Sequence, residues 1–184
     1  MRFSYRTEQW VPYPIQVVFD FFADPTNLPL LMPPWQQVRI ERMDVVPPPA
    51  RLDRTTASAT GIAGPGSQIT LSFRPLPYLP IRRRWEAQIE DFAWDDRFFD
   101  RQTRGPFVYW NHCHRMRSMM RHDIALTLLT DEVEYELPGG KVGQLAHSLF
   151  LRRQIRHAFT FRHRQLESIL AGRVKSPPSP PQSA

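Results

Sequence analysis

The sequence has a single cysteine, Cys113, among its 184 residues. One cysteine cannot form an internal disulfide, so nothing in the composition implies an oxidising compartment. The first ten residues lack the apolar core of a signal peptide, and no stretch is apolar enough to resemble a membrane span. Together these absences make the cytoplasm the expected location of the protein.

Several short functional motifs are also absent. The sequence has no glycine-rich phosphate loop, no CxxC pair and no GxSxG elbow. A nucleophilic role for Cys113 is not expected either, because no histidine shares its face of the predicted strand. The sequence therefore offers no motif for nucleotide binding, dithiol redox chemistry or serine hydrolysis.

The chain is basic, with a formal net charge of +6 and many of its arginines between Arg152 and Arg173. Such a charge attracts anionic partners over long distances but does not choose among them. The C-terminal tail lacks the interleaved aromatic residues of a single-strand nucleic-acid binder. The arginines are therefore predicted to form mainly a solvated face, with specific nucleic-acid or anionic-membrane binding the least favoured function.

Hydrophobic periodicity predicts a single α+β domain. Asp24 and Pro25 are typical of a helix start, so two short helices are expected between the first and second strands. Residues 46–66 form a long proline-containing connection, and residues 173–184 form a proline- and serine-rich tail that is predicted to be disordered. Strands are predicted at 2–11, 38–46, 67–73, 82–92, 97–102, 107–116 and 124–137.

A long helix is predicted after Gly140, with Gly172 as its stop. Its arginines lie beside an apolar stripe whose phase drifts partway along. A run of antiparallel strands with one apolar face needs a cover, and this helix is the only predicted element long enough to provide it. The stripe consists of Leu145, Leu149, Ile155, Phe159, Leu166 and Leu170.

Several segments resemble the START-like or SRPBCC superfamily, which includes lipid-transfer domains, pathogenesis-related allergens and polyketide cyclases, and more closely a bacterial branch of it. The resemblance implies a helix-grip fold over residues 1–172, in which a curved antiparallel sheet wraps the terminal helix around a deep hydrophobic cavity. One departure is RSMMRHD, which stands where a glycine-rich turn is expected. The segments are VFDFFADPTNLPLLMPPW, RWEAQIEDF, RFFDRQTRGPFVYWNHCHRM, DEVEYELPGG and HSLFLRRQIRHAFTFRHRQL.

The resemblance, combined with the alternation of side chains along a strand, assigns the faces of the strands. The most informative strand is YWNHCHRM, where two histidines spaced by one residue share a face with a tryptophan and a methionine. The residues predicted to face inward and to bind a ligand are Phe22, Trp85, Phe98, Asp100, Gln102, Trp110, His112, His114, Met116, Asp131 and Tyr135.

Four interpretations of His112 and His114 are open. They can be structural histidines bonded to neighbouring polar groups, contacts for the polar end of a ligand, metal ligands or proton-transfer groups. Metal binding would need Asp100 or Asp131 as a third ligand, and no second closely spaced pair supports it. No metal or other cofactor is therefore expected. The structural partners that the sequence offers are Asp100, Gln102, Asp131 and Tyr135.

The favoured function is the non-catalytic binding of a hydrophobic small molecule such as a lipid, a polyketide or an aromatic metabolite. The alternative is a cyclase or aromatase that uses His112 or His114 as a general acid or base. No integral membrane association is expected. The sequence leaves the ligand's identity and the oligomeric state open.

Overall fold

The computed structural model describes residues 1–51, 61–78 and 80–175. The described residues form an antiparallel sheet of seven strands in the order β1-β7-β6-β5-β4-β3-β2. The strands are β1 (Arg2–Val11), β2 (Arg39–Asp44), β3 (Gln68–Phe73), β4 (Arg83–Ala93), β5 (Arg97–Arg104), β6 (Tyr109–Arg121) and β7 (Ile124–Glu136). Each predicted strand is confirmed, with β6 extending five residues beyond the predicted end.

In the described part of the chain, three short helical segments follow β1: the two that were predicted and a 3₁₀ turn at Pro34–Gln36. The first is α1 (Ile15–Ala23), whose apolar side chains other than Val17 are buried in the core. The second, Pro25–Leu31, is a 3₁₀ helix that begins as the sequence predicts. The Asp24 side chain accepts a hydrogen bond of 2.9 Å from the backbone N–H of Thr26, while Pro25 occupies the first helical position.

The hairpin between β6 and β7 closes through His122 and Asp123, which have φ angles of 49° and 62°. Two consecutive left-handed residues form the turn that suits the twist of a two-residue hairpin. Histidine and aspartate tolerate this region better than most side chains do. The segment RSMMRHD therefore makes a tight hairpin without glycine.

The terminal helical segment has three parts: α2 (Gly140–Ala146), a π-helical turn (His147–Leu151) and α3 (Arg152–Lys175). The wider π turn rotates the helix face and accounts for the drift in the apolar stripe. The inward assignment of Leu145 and Leu149 is wrong, because they are 59% and 73% exposed. The predicted stop at Gly172 is also wrong, since α3 continues to Lys175.

The core lies between the concave face of the sheet, α1 and α3. Four of the predicted stripe residues, Ile155, Phe159, Leu166 and Leu170, are buried there. The last two join the α1 side chains in one apolar cluster, while Ile155 and Phe159 pack with Val133 and Tyr135 of β7. This arrangement confirms the α+β, helix-grip architecture.

The long 46–66 connection is attached to the domain at both of its described ends. The Trp94 indole N–H donates to the Pro49 carbonyl at 2.9 Å, and the Ala63 N–H donates to the Ala23 carbonyl of α1 at 2.9 Å. Residues 52–60, and the predicted disordered tail from residue 176 onward, lie outside the described residues. Among the residues that are described, no helix has the length and apolar composition to cross a membrane.

Candidate functional site

Cross-strand pairing brings two histidines and two aspartates together on the concave face. Asp100 of β5 lies opposite His112 of β6, and Asp131 of β7 lies opposite His114. The inward phase predicted for all four residues is confirmed by these contacts. Both histidines are buried and Asp131 is completely inaccessible, whereas the Asp100 side chain remains 22% exposed. We call Asp100, His112, His114 and Asp131 the His–Asp cluster.

Each imidazole of the cluster lies between the two carboxylates. One Asp100 oxygen, Oδ2, is 3.3 Å from Nδ1 of His112 and 3.3 Å from Nε2 of His114. The remaining ring nitrogens approach Asp131 Oδ1, at 3.0 Å from His112 Nε2 and 2.7 Å from His114 Nδ1. The His112–Asp131 contact has hydrogen-bond geometry, whereas His114 Nδ1 makes no well-directed hydrogen bond despite its short distance.

Arg162 of α3 completes the surroundings of Asp131. Its Nη1 lies 4.0 Å from Asp131 Oδ1, and its guanidinium group covers the rings of Phe22 and Phe159. The prediction that the arginines of this helix are solvated holds for the exposed Arg152, and it is wrong for Arg162, which is buried. The sequence did contain an indication that Arg162 is buried, because position 162 falls on the apolar stripe, three residues after Phe159.

Burial and charge have opposing effects on the cluster. Burial alone would lower the pKa of His112, but Asp100 and Asp131 outweigh it and raise that pKa. Burial and the charge on His112 lower the pKa of His114. Burial favours a higher pKa for both aspartates, yet His112 at Asp100 and Arg162 at Asp131 outweigh it and hold each pKa below its usual range. Positive charge on His112 and Arg162 therefore favours the ionised form of the two carboxylates.

The predicted partners Gln102 and Tyr135 do not bond to the histidine pair. Gln102 donates a hydrogen bond of 2.8 Å from Nε2 to the carbonyl of Phe107. Tyr135 shares a hydrogen bond of 2.9 Å with Nε2 of His147, a buried residue that the sequence interpretation missed. If His112 and His114 are structural histidines, the predicted partners that they contact are therefore Asp100 and Asp131.

Next to the cluster, aromatic residues of the concave face form a partly open surface. The Trp85 and Trp110 rings meet edge to face at 5.0 Å, and Phe107 lies 4.9 Å from Trp110 between ring centroids. All three side chains, together with Gln102 and Asp100, keep partial solvent access although they are on the covered side of the sheet. We call Trp85, Phe107 and Trp110 the aromatic groove.

The other predicted ligand contacts belong to the packed core. Phe98 and Phe22 lie against the His114 ring at centroid distances of 4.5 and 5.5 Å. Both residues and Met116 are buried and belong to the apolar cluster around α1. They therefore hold the His114 side of the cluster in place instead of lining an open space.

Two further concave sites open at the surface. One, of about 300 Å³, lies between the start of α1 and the β6–β7 hairpin. The other, of about 280 Å³, is lined by Phe3, Tyr135, His147, Arg152 and Arg156 among others. Tyr135 is the one predicted ligand contact that lines either of them. Neither site contains His112 or His114.

Burial also decides the role of Cys113. The side chain is buried on the opposite side of β6 from the histidines, and burial raises the pKa of its thiol. A protonated, inaccessible thiol is a poor nucleophile. These properties agree with the expectation that Cys113 has no nucleophilic function.

Comparisons with known proteins agree with this architecture. The family profile described as polyketide cyclase / dehydrase and lipid transport matches residues 11–160. Among curated proteins, none matches the sequence.

Solved structures with the same fold come from distant organisms. Ginseng major latex-like protein 151 from Panax ginseng has a TM-score of 0.58 at 12% identity, covering 91% of this chain and 96% of that one. Protein Ms6760 from Mycobacterium smegmatis has a TM-score of 0.56 at 11% identity, covering 92% and 91%. The protein TTHA0849 from Thermus thermophilus has a TM-score of 0.54 at 18% identity, covering 92% and 98%.

Proposed function

Because this chain belongs to the polyketide cyclase / dehydrase and lipid transport family, we propose that it binds a hydrophobic small molecule against the aromatic groove. The ligand class is a lipid, a polyketide or an aromatic metabolite that carries at least one polar group. Trp85, Phe107 and Trp110 supply apolar contact area. Asp100 and Gln102 supply polar groups beside it, as is usual where a few polar side chains orient a ligand in an apolar site.

The observation that carries this proposal is the partial exposure of large aromatic side chains on the covered face of the sheet. Packing alone would favour complete burial of Trp85 and Trp110, because each square ångström of apolar surface removed from water contributes about 25 cal/mol. A ligand that covers these rings would recover the remaining contribution. Within the described residues, the side chains of the protein therefore leave these aromatic rings incompletely buried.

A cyclase or aromatase activity is the second candidate, and the His–Asp cluster is the observation that favours it. All four imidazole nitrogens face carboxylate oxygens, so neither ring has a free nitrogen to present to a substrate. Asp100 is the partly exposed member of the cluster. In this second function, Asp100 would be the ionised group within reach of a substrate proton, and the low pKa that the two histidines give it would make it a weak base.

Fluorescence titration with an environment-sensitive fatty-acid probe tests the binding proposal. Replacing Trp110 with alanine removes wall area from the groove, and we expect the affinity to fall about tenfold, which corresponds to roughly 1.4 kcal/mol. Trp85→Ala should have a similar effect, because the two rings are in contact. Each variant must first show a cooperative thermal transition.

Tyr109→Ala is the matched control, because Tyr109 precedes Trp110 in β6 and faces the opposite way, with the Arg2 guanidinium 4.0 Å from its ring centroid. We expect this variant to keep the affinity of the unmodified protein. Loss of binding in Tyr109→Ala, with binding retained in Trp110→Ala, would reverse the assignment of the binding face and refute the proposal.

A further inference from the structure

We propose that Asp100, His112 and His114 form a binding site for a divalent first-row transition metal, with Asp131 supporting both imidazole ligands. The sequence interpretation named Asp100 or Asp131 as the third ligand that a metal would need, and it set metal binding aside because no second closely spaced pair supports it. The register of β5 against β6 supplies that ligand by putting Asp100 opposite His112. One donor atom from each of the three residues lies within 4.8 Å of the other two.

The distances suit a metal ion better than they suit direct hydrogen bonds. Asp100 Oδ2 is 3.3 Å from one nitrogen of each histidine, whereas a charge-assisted N–H···O bond is usually about 2.7–2.9 Å long. In a tetrahedral site with bonds of about 2.0–2.1 Å, neighbouring ligand atoms are roughly 3.3–3.4 Å apart. The two distances from the Asp100 oxygen to the histidine nitrogens therefore match two edges of a coordination tetrahedron.

The His112 nitrogen that faces away from Asp100 has the hydrogen bond expected of a metal-bound imidazole, and the corresponding His114 nitrogen lies close to the same carboxylate oxygen. A histidine that ligates a metal usually donates its other ring N–H to a carboxylate, which fixes the tautomer and the ring orientation. Here Asp131 Oδ1 lies 3.0 Å from Nε2 of His112 and 2.7 Å from Nδ1 of His114. Arg162 Nη1 lies 4.0 Å from the same Asp131 oxygen. One carboxylate therefore supports both ligands.

A cation also resolves a donor shortage in the cluster. Carboxylates only accept hydrogen bonds, and a neutral imidazole has one N–H, so one nitrogen of each neutral ring must turn a lone pair toward a carboxylate. Charging one ring leaves the shortage at the other, and charging both would place two imidazolium groups 3.9 Å apart between centroids. A metal bound between Asp100 and the two rings lets every remaining N–H point to Asp131.

The donor set selects the class of metal. Two imidazole nitrogens and one carboxylate oxygen suit zinc, iron, cobalt or nickel, whereas magnesium and calcium prefer oxygen ligands throughout. Three protein ligands leave a coordination position open. The 22% exposure of the Asp100 side chain gives the ion a route into the otherwise buried cluster. Metal binding can be tested with the ion alone, so this inference does not depend on the proposed hydrophobic ligand.

The experiment uses the full chain after chelator treatment, titrated with Co²⁺ and followed by visible absorption, with Zn²⁺ added in competition. We expect about one ion per chain, and the absorption bands of a four- or five-coordinate site. Asp100→Asn and His112→Ala should each weaken binding by at least about 100-fold, and Asp131→Asn by roughly 10- to 100-fold. His157→Ala, which removes an exposed histidine of α3, should bind like the unmodified chain.

X-ray absorption of the zinc-loaded, unmodified chain gives a measurement that does not depend on how well the variants fold. Two imidazole ligands and one carboxylate ligand would support the site. The proposal is overturned if the unmodified chain binds neither metal more tightly than about 10 μM, or if the spectrum lacks histidine ligands. Equal loss of binding in His157→Ala and Asp100→Asn would also overturn it, because the ion would then be held at surface histidines.

Discussion

Arg162 compensates a carboxylate that has no access to water. Asp131 is completely buried, and its negative charge is offset by Arg162 together with the two histidines. The aliphatic part of Arg162 and its contacts with Phe22 and Phe159 place the guanidinium inside the apolar interior of the domain. The arginine therefore connects α3 to the sheet electrostatically, in addition to the packing contacts that Leu166 and Leu170 of the same helix make.

Replacing Arg162 with methionine should destabilise the protein substantially. The change keeps most of the apolar volume but leaves the Asp131 charge less compensated, and breaking a buried pair costs about 3–5 kcal/mol. We expect a loss of roughly 3 kcal/mol in the free energy of unfolding of the metal-free protein, measured by urea titration. Arg162→Lys, which keeps the charge, should lose less.

The control is Arg164→Met, on the exposed side of the same helix turn. Surface substitutions of this kind usually change stability by less than about 0.5 kcal/mol. If both methionine variants unfold at the same urea concentration as the unmodified chain, Arg162 does not contribute to the stability of the cluster.

Side-chain alternation predicted the composition of the cluster but not its connections. The period of two along β5, β6 and β7 places Asp100, His112, His114 and Asp131 on one face. It does not reveal which residues lie opposite each other, because that depends on the register between strands. Arg162 was missed for a different reason, since an arginine on a basic helix is usually solvated and only its position in the stripe indicates otherwise.

At the scale of single elements, the β6–β7 hairpin contains backbone strain. His122 and Asp123 both adopt left-handed conformations. For most residues other than glycine, this conformation costs roughly 1–2 kcal/mol. Aspartate tolerates it better than most residues, but glycine meets no such penalty at the second position of this turn.

Asp123→Gly should therefore stabilise the protein by roughly 0.5–1 kcal/mol after allowing for the greater freedom of glycine in the unfolded chain. Urea unfolding measures the gain as a higher midpoint with an unchanged slope. Ser118→Gly, in an exposed part of β6 with ordinary strand geometry, is the control and should lower stability. A destabilised Asp123→Gly variant would mean that the aspartate side chain holds the turn.

The terminal helix shows where a periodic pattern loses its predictive value. The residues after the π turn follow the predicted stripe, and Ile155, Phe159, Leu166 and Leu170 are buried. The residues before it follow the same apolar spacing in the sequence, yet Leu145 and Leu149 face solvent. The extra residue of the π turn rotates the helix residues before the turn relative to those after it. Sequence spacing alone does not reveal which of the two parts keeps its contact with the sheet.

At the scale of the whole molecule, α3 is the cover of the concave face. Leu166 and Leu170 belong to the same buried cluster as α1 and residues of β3, β4, β5, β6 and β7. We expect a chain that ends at Gln144 to lose cooperative thermal unfolding, because the apolar face of the sheet would then be exposed to water. Calorimetry or near-ultraviolet circular dichroism measures the transition.

A chain that ends at Lys175 is the matched control. It keeps every helical residue that the structure describes and should unfold with an unchanged midpoint. A sharp, reversible transition in the chain that ends at Gln144 would show that α3 is not part of the core.

The overall architecture was predictable because a run of segments with the strand period precedes one long segment with the helix period, and because several segments resemble a family with a helix-grip fold. The degree to which the space between the sheet and the terminal helix is filled was not predictable, since it depends on how side chains from opposite elements pack there. Phe98 and Met116 illustrate the difference. Side-chain alternation predicted that both residues face inward. Their burial in the closed core, in contrast, follows from the position of α1.

The pairing of β1 with β7 has a consequence for how the protein is made. β1 is synthesised before the other strands, but Arg2 pairs with Glu136 and Val11 with Thr127, at the far end of the sheet-forming sequence. The nascent chain must therefore carry an unpaired first strand until the last strand has been synthesised. The helix that seals the core is translated later still, so the native core cannot close before α3 has emerged, and we expect the emerging chain to depend on chaperones during that interval.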